Sequence, residues 1–217
     1  MSAEADPGPK PSLNLVGVPA QLRRVAAGGG GVVLVEDRQR DHLLQGGQMG
    51  LARWAELMIL VLQAEGVAAP WEVGLWFVAE AEMGELNHAH RAVAAPTDVL
   101  ALGTDDGGAL RASAEPRLVG DVVVCPVVAD INASEHNKTL HDELALLVVH
   151  GTLHLLGYDH QCDADAAQME QREQELLALE SGGGGLGTTS EGAADEGLAD
   201  EGAADVARAD MATEVLA

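Results

Sequence analysis

The sequence predicts an α+β fold, a single domain in which a mixed four-stranded sheet packs with helices around a central, buried, metal-binding helix. Three observations favour this class. The strand patterns come mostly early in the chain and the long helices late, which is typical of α+β domains. The strand patterns are short runs rich in β-branched residues. The helix predicted over 140–156 is apolar on almost every side, and such a helix is usually enclosed by the rest of the protein.

The elements follow from the spacing of the apolar residues. Strands are predicted where β-branched residues cluster or alternate, at 32–35, 71–79, 97–102 and 118–125, with a further short strand at 13–18. Helices are predicted where apolar residues recur every three or four positions, at 48–65, 80–91, 126–135 and 140–156, with a last helix capped by Asp163 or Asp165. Pro126 suits the first turn of its helix. The N–H groups of the first turn have no partner within the helix, so the N–H that proline lacks costs no hydrogen bond there.

Composition divides the chain into three parts. Residues 1–30 hold several prolines and the glycine run 28–31, and this composition predicts a flexible extension. Residues 31–180 carry the predicted elements and form the folded domain. Residues 181–217 are built largely from alanine, glycine and acidic residues, with eight acidic side chains and one arginine. Such a segment buries little apolar surface, so we expect a disordered acidic tail.

The charge of the chain limits its function. It has 35 acidic and 12 basic residues, for a formal net charge of −23. Proteins that bind nucleic acid regardless of its sequence are usually basic. Any contact with RNA is therefore expected through a local patch or a bound metal ion.

The cysteine count, the N-terminal pattern and the length of the apolar stretches indicate a cytoplasmic protein. Two cysteines, Cys125 and Cys162, are too few for a disulfide scaffold. The N-terminus lacks the basic and then apolar pattern of a secretory signal. No uncharged apolar stretch reaches the roughly 18 residues that a membrane helix needs. We therefore expect a reducing compartment and no membrane partner.

Three of the eight histidines lie within eleven residues, at His150, His154 and His160. The first two are four apart, so on a helix they share one face. Gly157 then ends the helix, because glycine accepts the left-handed conformation found at many helix ends. The turn can bring His160 back over that face. Three protein ligands and an open position are typical of catalytic zinc, so the spacing predicts such a site.

Two neighbouring residues allow alternatives. Cys162 follows His160 by two residues and can complete a closed site, which would make the zinc structural. Asp159 is a candidate to hydrogen-bond a ligand imidazole from the second layer of the site. Its alternative role is that of a polar turn residue.

The second and third histidines also match half of the metzincin protease signature, H-x-x-G-x-x-H. Those proteases need a glutamate directly after the first histidine as general base. Gly151 stands there instead, which disfavours peptide hydrolysis by that mechanism. A metal held here can still lower the pKa of a bound water and polarise a phosphoryl oxygen.

Arg91 is a candidate for phosphate chemistry. It ends the predicted helix 80–91, just before a loop and a strand. A guanidinium can bind a phosphate through two parallel hydrogen bonds and stabilise charge in a transition state. A lone arginine more often forms a surface ion pair, so position alone leaves both roles open.

Four segments together resemble a known family. They are E-L-N at 85–87 followed by Arg91, P-T-D-V-L at 96–100, G-D-V-V-V at 120–124 and the histidine motif at 150–160. The histidine motif matches the family signature H-G-x-L-H-L-x-G-Y-D-H at every fixed position. By these residues the chain resembles the YbeY family of bacterial rRNA maturation factors, over about residues 32–179.

The resemblance implies one zinc ion on His150, His154 and His160, and a catalytic role for Arg91. It implies a single-strand-specific, metal-dependent endoribonuclease that matures the 3′ end of small-subunit (16S) rRNA and serves ribosome quality control. The implied partners are rRNA precursors, the ribosome or its small subunit, and ribosomal or assembly-factor proteins.

The chain departs from the family at two places near the predicted site. The family usually has S-F-P after P-T-D-V-L, and here Ala101, Leu102 and Gly103 follow. It usually has G-K-D after the arginine, and here 92–94 reads A-V-A. The missing lysine removes positive charge beside the predicted site.

Two other functions compete with the nuclease. One is a zinc-stabilised ribosome-assembly factor without enzymatic activity, which fits the acidic charge and the few aromatic side chains, since single-strand binding usually pairs a basic groove with stacking aromatics. The other is a metallopeptidase-like hydrolase, against which Gly151 argues.

Overall fold

The computed structural model describes residues 22–39, 44, 50–104 and 116–183. The predicted strand at 13–18 and most of the predicted tail lie outside them. Among the described residues the strands are β1 (Arg23–Ala26), β2 (Val32–Asp37), β3 (Trp71–Phe77), β4 (Val99–Gly103) and β5 (Arg117–Val124). The α-helices are α1 (Leu51–Ala64), α2 (Glu80–Arg91), α3 (Pro126–Glu135), α4 (Leu140–Leu155) and α5 (Asp163–Gly183).

The strands form one mixed sheet in the order β1-β2-β3-β5-β4. The pairs β2–β3 and β3–β5 are parallel, and the edge strands β1 and β4 pair antiparallel with β2 and β5. The α+β class with a single mixed sheet is confirmed, but the predicted count of four strands is wrong.

The additional strand is β1, which lies inside the segment predicted as a flexible extension. Its residues are mostly exposed, and it has no apolar alternation that marks a strand. It is a strand because it pairs with β2, from Arg23 opposite Val35 to Ala26 opposite Val32. Residues 23–26 of the segment predicted as an extension are therefore an edge strand of the sheet. At the other end, α5 continues to Gly183, past the predicted boundary at 181.

The sheet carries helices on both faces. On one face α1, α4 and α5 enclose the main core, whose largest members include Trp54, Met58, Phe77, Leu144 and Leu153. On the other face Met83 of α2 packs with Leu100 and Val123 in a smaller cluster. Side chains alternate across a strand, so Val122 faces the main core and its neighbour Val123 the smaller one.

Helix α4 contacts α1, α3, α5, β4 and β5. These contacts explain why apolar residues occur around most of its surface. The Thr139 hydroxyl caps its first turn by accepting from the Asp142 N–H at 3.1 Å. No helix among the described residues combines the length and apolar character needed to cross a membrane.

Candidate metal and active site

The three histidines predicted as ligands lie together. His150 and His154 project from one face of α4, and their Nε2 atoms are 3.1 Å apart. The His160 ring lies 5.9 Å from the His150 ring and 5.1 Å from the His154 ring, between centroids. One nitrogen from each of the three lies within 4.8 Å of the others. Among the described residues this is the one group of histidine, cysteine or acidic side chains with such spacing.

The turn after α4 brings His160 to the other two. Gly157 has φ +94°, which costs an ordinary residue strain and glycine little. The Gly157 and Tyr158 N–H groups return to the carbonyls of His154 and Leu153 at 3.0 and 3.1 Å. This pair of bonds is a Schellman motif, which reverses the chain at a helix end. The turn therefore delivers His160 for a local reason, as the glycine spacing predicted.

Asp159 stabilises this turn. Its Oδ1 accepts a hydrogen bond from the His160 backbone N–H at 2.7 Å. This hydrogen bond gives Asp159 the role of a polar turn residue, which is one of the two roles that the sequence allowed. A role for Asp159 toward an imidazole remains a prediction.

The electrostatics suit a cation. Burial, and then the proximity of His150 and His160, lower the pKa of His154 to about 4. His154 is therefore neutral near pH 7, as a metal ligand must be. Two imidazole nitrogens that face each other at 3.1 Å need a proton or a cation between them. The His160 Nε2 is buried without a hydrogen-bond partner. Three nitrogen donors with these unmet needs fit zinc.

Glu173 contacts the cluster from α5, and the sequence reasoning missed it. Its Oε1 lies 2.6 Å from His150 Nδ1, the ring nitrogen that faces away from His154. A signal was present, because Glu173 lies four residues after Met169 and three before Leu176, on the buried face of the helix. An acidic residue in an apolar stripe indicates a specific partner.

Cys162 does not join the cluster. It is exposed, and its thiol donates to Asp165 Oδ2 at 3.1 Å. The group of side chains that could hold a metal ion consists of the three histidines and does not include Cys162. The arrangement therefore supports an open site over the closed alternative.

A second carboxylate ties the turn to two helices. Glu65, just after α1, accepts from the Tyr158 hydroxyl at 2.8 Å and from Arg172 Nε at 2.6 Å. The bond to Glu65 raises the pKa of Tyr158 above its ordinary value. Tyr158 stands two residues before His160, so Glu65 anchors the turn that carries this histidine.

Arg91 is the last residue of α2, whose Met83 packs on the face of the sheet opposite α4. None of the hydrogen bonds among the described residues joins Arg91 to the histidines. Its Nη2 is buried without a partner, so one donor is left for an anion. Asn87, one turn earlier, donates to the Ala95 carbonyl at 2.7 Å and holds the loop that follows Arg91. The catalytic role of Arg91 remains a prediction.

Gly151 faces the sheet and not the histidines. A Cβ at this position would lie 2.7 Å from Val122 Cγ1 and 3.3 Å from Val99 Cγ2. Glycine here lets α4 pack closely on β4 and β5. A glutamate at this position would enter the core and not reach a bound substrate, which strengthens the argument against a metzincin-like peptidase.

The fold brings three histidines together on a helix and its following turn, where they could hold a metal ion, and metal-dependent hydrolases use histidine groups of this kind. Residues 36–180 match the family model described as endoribonuclease YbeY. The chain belongs to the endoribonuclease YbeY family. The resemblance found in the sequence motifs is therefore confirmed.

Individual relatives carry the same name. The endoribonuclease YbeY of Moorella thermoacetica is 40% identical over 148 residues, 66% of this chain and 94% of its own length. That of Pelotomaculum thermopropionicum is 44% identical over 117 residues, 54% and 77% of the two chains. That of a Roseiflexus species is 45% identical over 119 residues, 54% and 74%. The solution structure of a Thermotoga maritima protein is 28% identical and covers 63% of this chain and 86% of its own, with a TM-score of 0.45.

Proposed function

We propose that the protein is a zinc-dependent, single-strand-specific endoribonuclease that matures the 3′ end of small-subunit (16S) rRNA and serves ribosome quality control. Its family assigns it to the rRNA-processing endoribonucleases, hydrolases that act on RNA. The observation that carries the metal dependence is the convergence of three histidine nitrogens, two of them 3.1 Å apart.

His150, His154 and His160 would hold one zinc ion. A bound zinc ion supplies a Lewis acid for a phosphoryl oxygen and lowers the pKa of a coordinated water to about 7. The residues around the cluster keep it in place. Glu173 fixes the His150 ring, and Glu65 and Asp159 hold the turn that carries His160.

Arg91 would bind the phosphate of the scissile bond. Its partnerless Nη2 supports this role, because a guanidinium donor left free in a partly buried place suits a phosphate oxygen. The attacking group is a water or the 2′-hydroxyl of the substrate. No side chain of the cluster stands out as the general base.

The RNA partner is an rRNA precursor, and the site would meet it on the ribosome or its small subunit in the cytoplasm. A chain with a net charge of −23 holds a polyanion weakly by itself. Ribosomal or assembly-factor proteins would therefore help to bring the RNA to the site.

The competing functions have less support. The place of a peptidase general base is taken by Gly151, which packs on the sheet. An assembly factor without activity would need the three histidines only for stability. The family name, endoribonuclease, favours catalysis.

The test is metal content and cleavage measured on the same preparations. Purified protein should contain about one zinc ion per chain and cut single-stranded RNA until a chelator is added. His154→Ala should lose both the metal and the cleavage. His136→Ala, which removes an exposed histidine outside the cluster, should change neither. Full nuclease activity in metal-free His154→Ala protein would contradict the proposal.

Arg91→Ala separates catalysis from metal binding. It should keep the zinc and the fold and lower cleavage by roughly 10²-fold or more, the usual effect of losing a group that stabilises charge in the transition state. In cells it should fail to support rRNA maturation. Unchanged maturation would favour the assembly factor over the enzyme.

A further inference from the structure

We propose that Glu173 is a positioning residue that keeps the proton of His150 on Nδ1 and so turns the Nε2 lone pair toward the metal. This inference rests on the proposed function, since it concerns the same three-histidine centre. It adds a residue of α5 to a site that is otherwise built from α4 and its following turn.

The first argument is the place of Glu173 on its helix. The buried side chains of α5 include Met169 and Leu176, 2% and 0% exposed, and Glu173 lies between them at 9%. A carboxylate in this apolar stripe is costly to bury unless a specific partner satisfies it. Its presence is therefore poorly explained by packing.

The second argument is the contact that Glu173 makes. Its Oε1 is 2.6 Å from His150 Nδ1. A carboxylate accepts hydrogen bonds, so the short contact places the proton on Nδ1. The two nitrogens of a neutral imidazole cannot both carry a proton. Nε2 is therefore left with its lone pair.

The third argument is the direction of that lone pair. His150 Nε2 is the atom that faces His154 Nε2 at 3.1 Å, inside the cluster. The hydrogen bond to Glu173 thus selects the tautomer that can act as a ligand. It also restrains ring rotation and makes the ligand nitrogen more basic. A carboxylate that accepts a hydrogen bond from a metal-ligating histidine commonly raises metal affinity 10- to 100-fold.

The test uses Glu173→Leu, which removes the carboxylate and continues the apolar stripe. We expect zinc affinity, measured by competition with a chelator, to fall 10- to 100-fold. The metal-free protein should stay folded, with a thermal unfolding temperature lowered by at most several degrees, because His150 Nδ1–H loses its acceptor. Gln174→Leu is the control, because it places a leucine beside Glu173 on an exposed face of α5, and it should bind zinc like the wild type.

A second measurement needs no metal. The nitrogen NMR shifts of His150 in metal-free protein at neutral pH report which ring nitrogen carries the proton. The wild type should show mainly Nδ1–H, and Glu173→Leu should show much less of it. If Glu173→Leu does not fold, Glu173→Met carries the same tests with the same expected results, because it also lacks an oxygen that could accept from His150 Nδ1–H.

Zinc affinity within threefold of the wild type in the folded variant, or an unchanged share of the Nδ1–H form, overturns the role of Glu173. Wild-type protein that binds no zinc instead defeats the proposed function. The two failures are therefore distinguishable.

Discussion

Gly151→Ala tests how closely the histidine helix must approach the sheet. The added Cβ would lie 2.7 Å from Val122 Cγ1 and 3.3 Å from both Val122 Cγ2 and Val99 Cγ2. Carbon atoms prefer about 3.5–4.0 Å. Val122 and Val99 are 0% and 1% exposed, in paired strands of the sheet, so they have little room to move. The helix must shift instead, and it carries His150 and His154.

Two opposing free energies set the size of the effect. Forcing a methyl group into a packed core costs about 1–3 kcal/mol. Replacing glycine by alanine within a helix returns about 1 kcal/mol. The free energy of unfolding should therefore fall by up to about 2 kcal/mol. A displaced His150 and His154 should also weaken zinc binding, because His160 lies on the turn and not on the helix.

The assay is urea unfolding of four metal-free proteins: wild type, Gly151→Ala, Val122→Ala and the double variant. Val122→Ala alone should cost roughly 2 kcal/mol, since it removes two buried methyl groups. In that background the new Cβ has space, so Gly151→Ala should become neutral or stabilising. The expected coupling is about 1–3 kcal/mol, the size of the clash. An equal effect of Gly151→Ala in both backgrounds would refute the close-approach reasoning.

Two further predictions concern the surroundings of the site. His154 has a folded-state pKa of about 4 against 6.5 for the free side chain, so the unfolded chain takes up this proton first. As pH falls from about 6.5 to about 4, the free energy of unfolding of the metal-free wild type should therefore decrease, as measured by urea unfolding. The decrease should exceed that of His154→Gln by at most about 3 kcal/mol. Equal decreases in the two proteins would contradict this prediction. Glu65→Leu, which removes the acceptor of both the Tyr158 hydroxyl and Arg172, should cost about 1–3 kcal/mol and Tyr158→Phe about 1 kcal/mol. Because both remove the same hydrogen bond, the double variant should cost less than their sum; strict additivity would contradict the shared bond.

Local patterns predicted most of the secondary structure. The helices predicted at 80–91 and 126–135 match α2 and α3, because their signals are short-range: a run of helix formers and a proline in the first turn. The helix at 140–156 matches α4 to within one residue. Its signal was equally local, an apolar stretch with a glycine just past its end.

The sheet was only partly predictable. β1 carries exposed side chains, and it is a strand because β2 offers it hydrogen-bonding groups. No property of residues 23–26 alone indicates this partner. The same holds for the order β1-β2-β3-β5-β4, in which β5 lies between β3 and β4. Pairing between distant segments depends on packing, which periodicity within one segment does not record.

The sequence by itself determined the metal-ligand candidates His150, His154 and His160, because a four-residue spacing on a helix and a glycine after it are sufficient to bring them together. It also determined the family, through motifs of fixed spacing. The tertiary structure decided what supports those ligands. Glu173 is 23 residues from His150 and Glu65 is 93 from Tyr158. Such pairs meet only when α1 and α5 pack beside α4, since contacts between helices depend on their faces and not on their order in the chain.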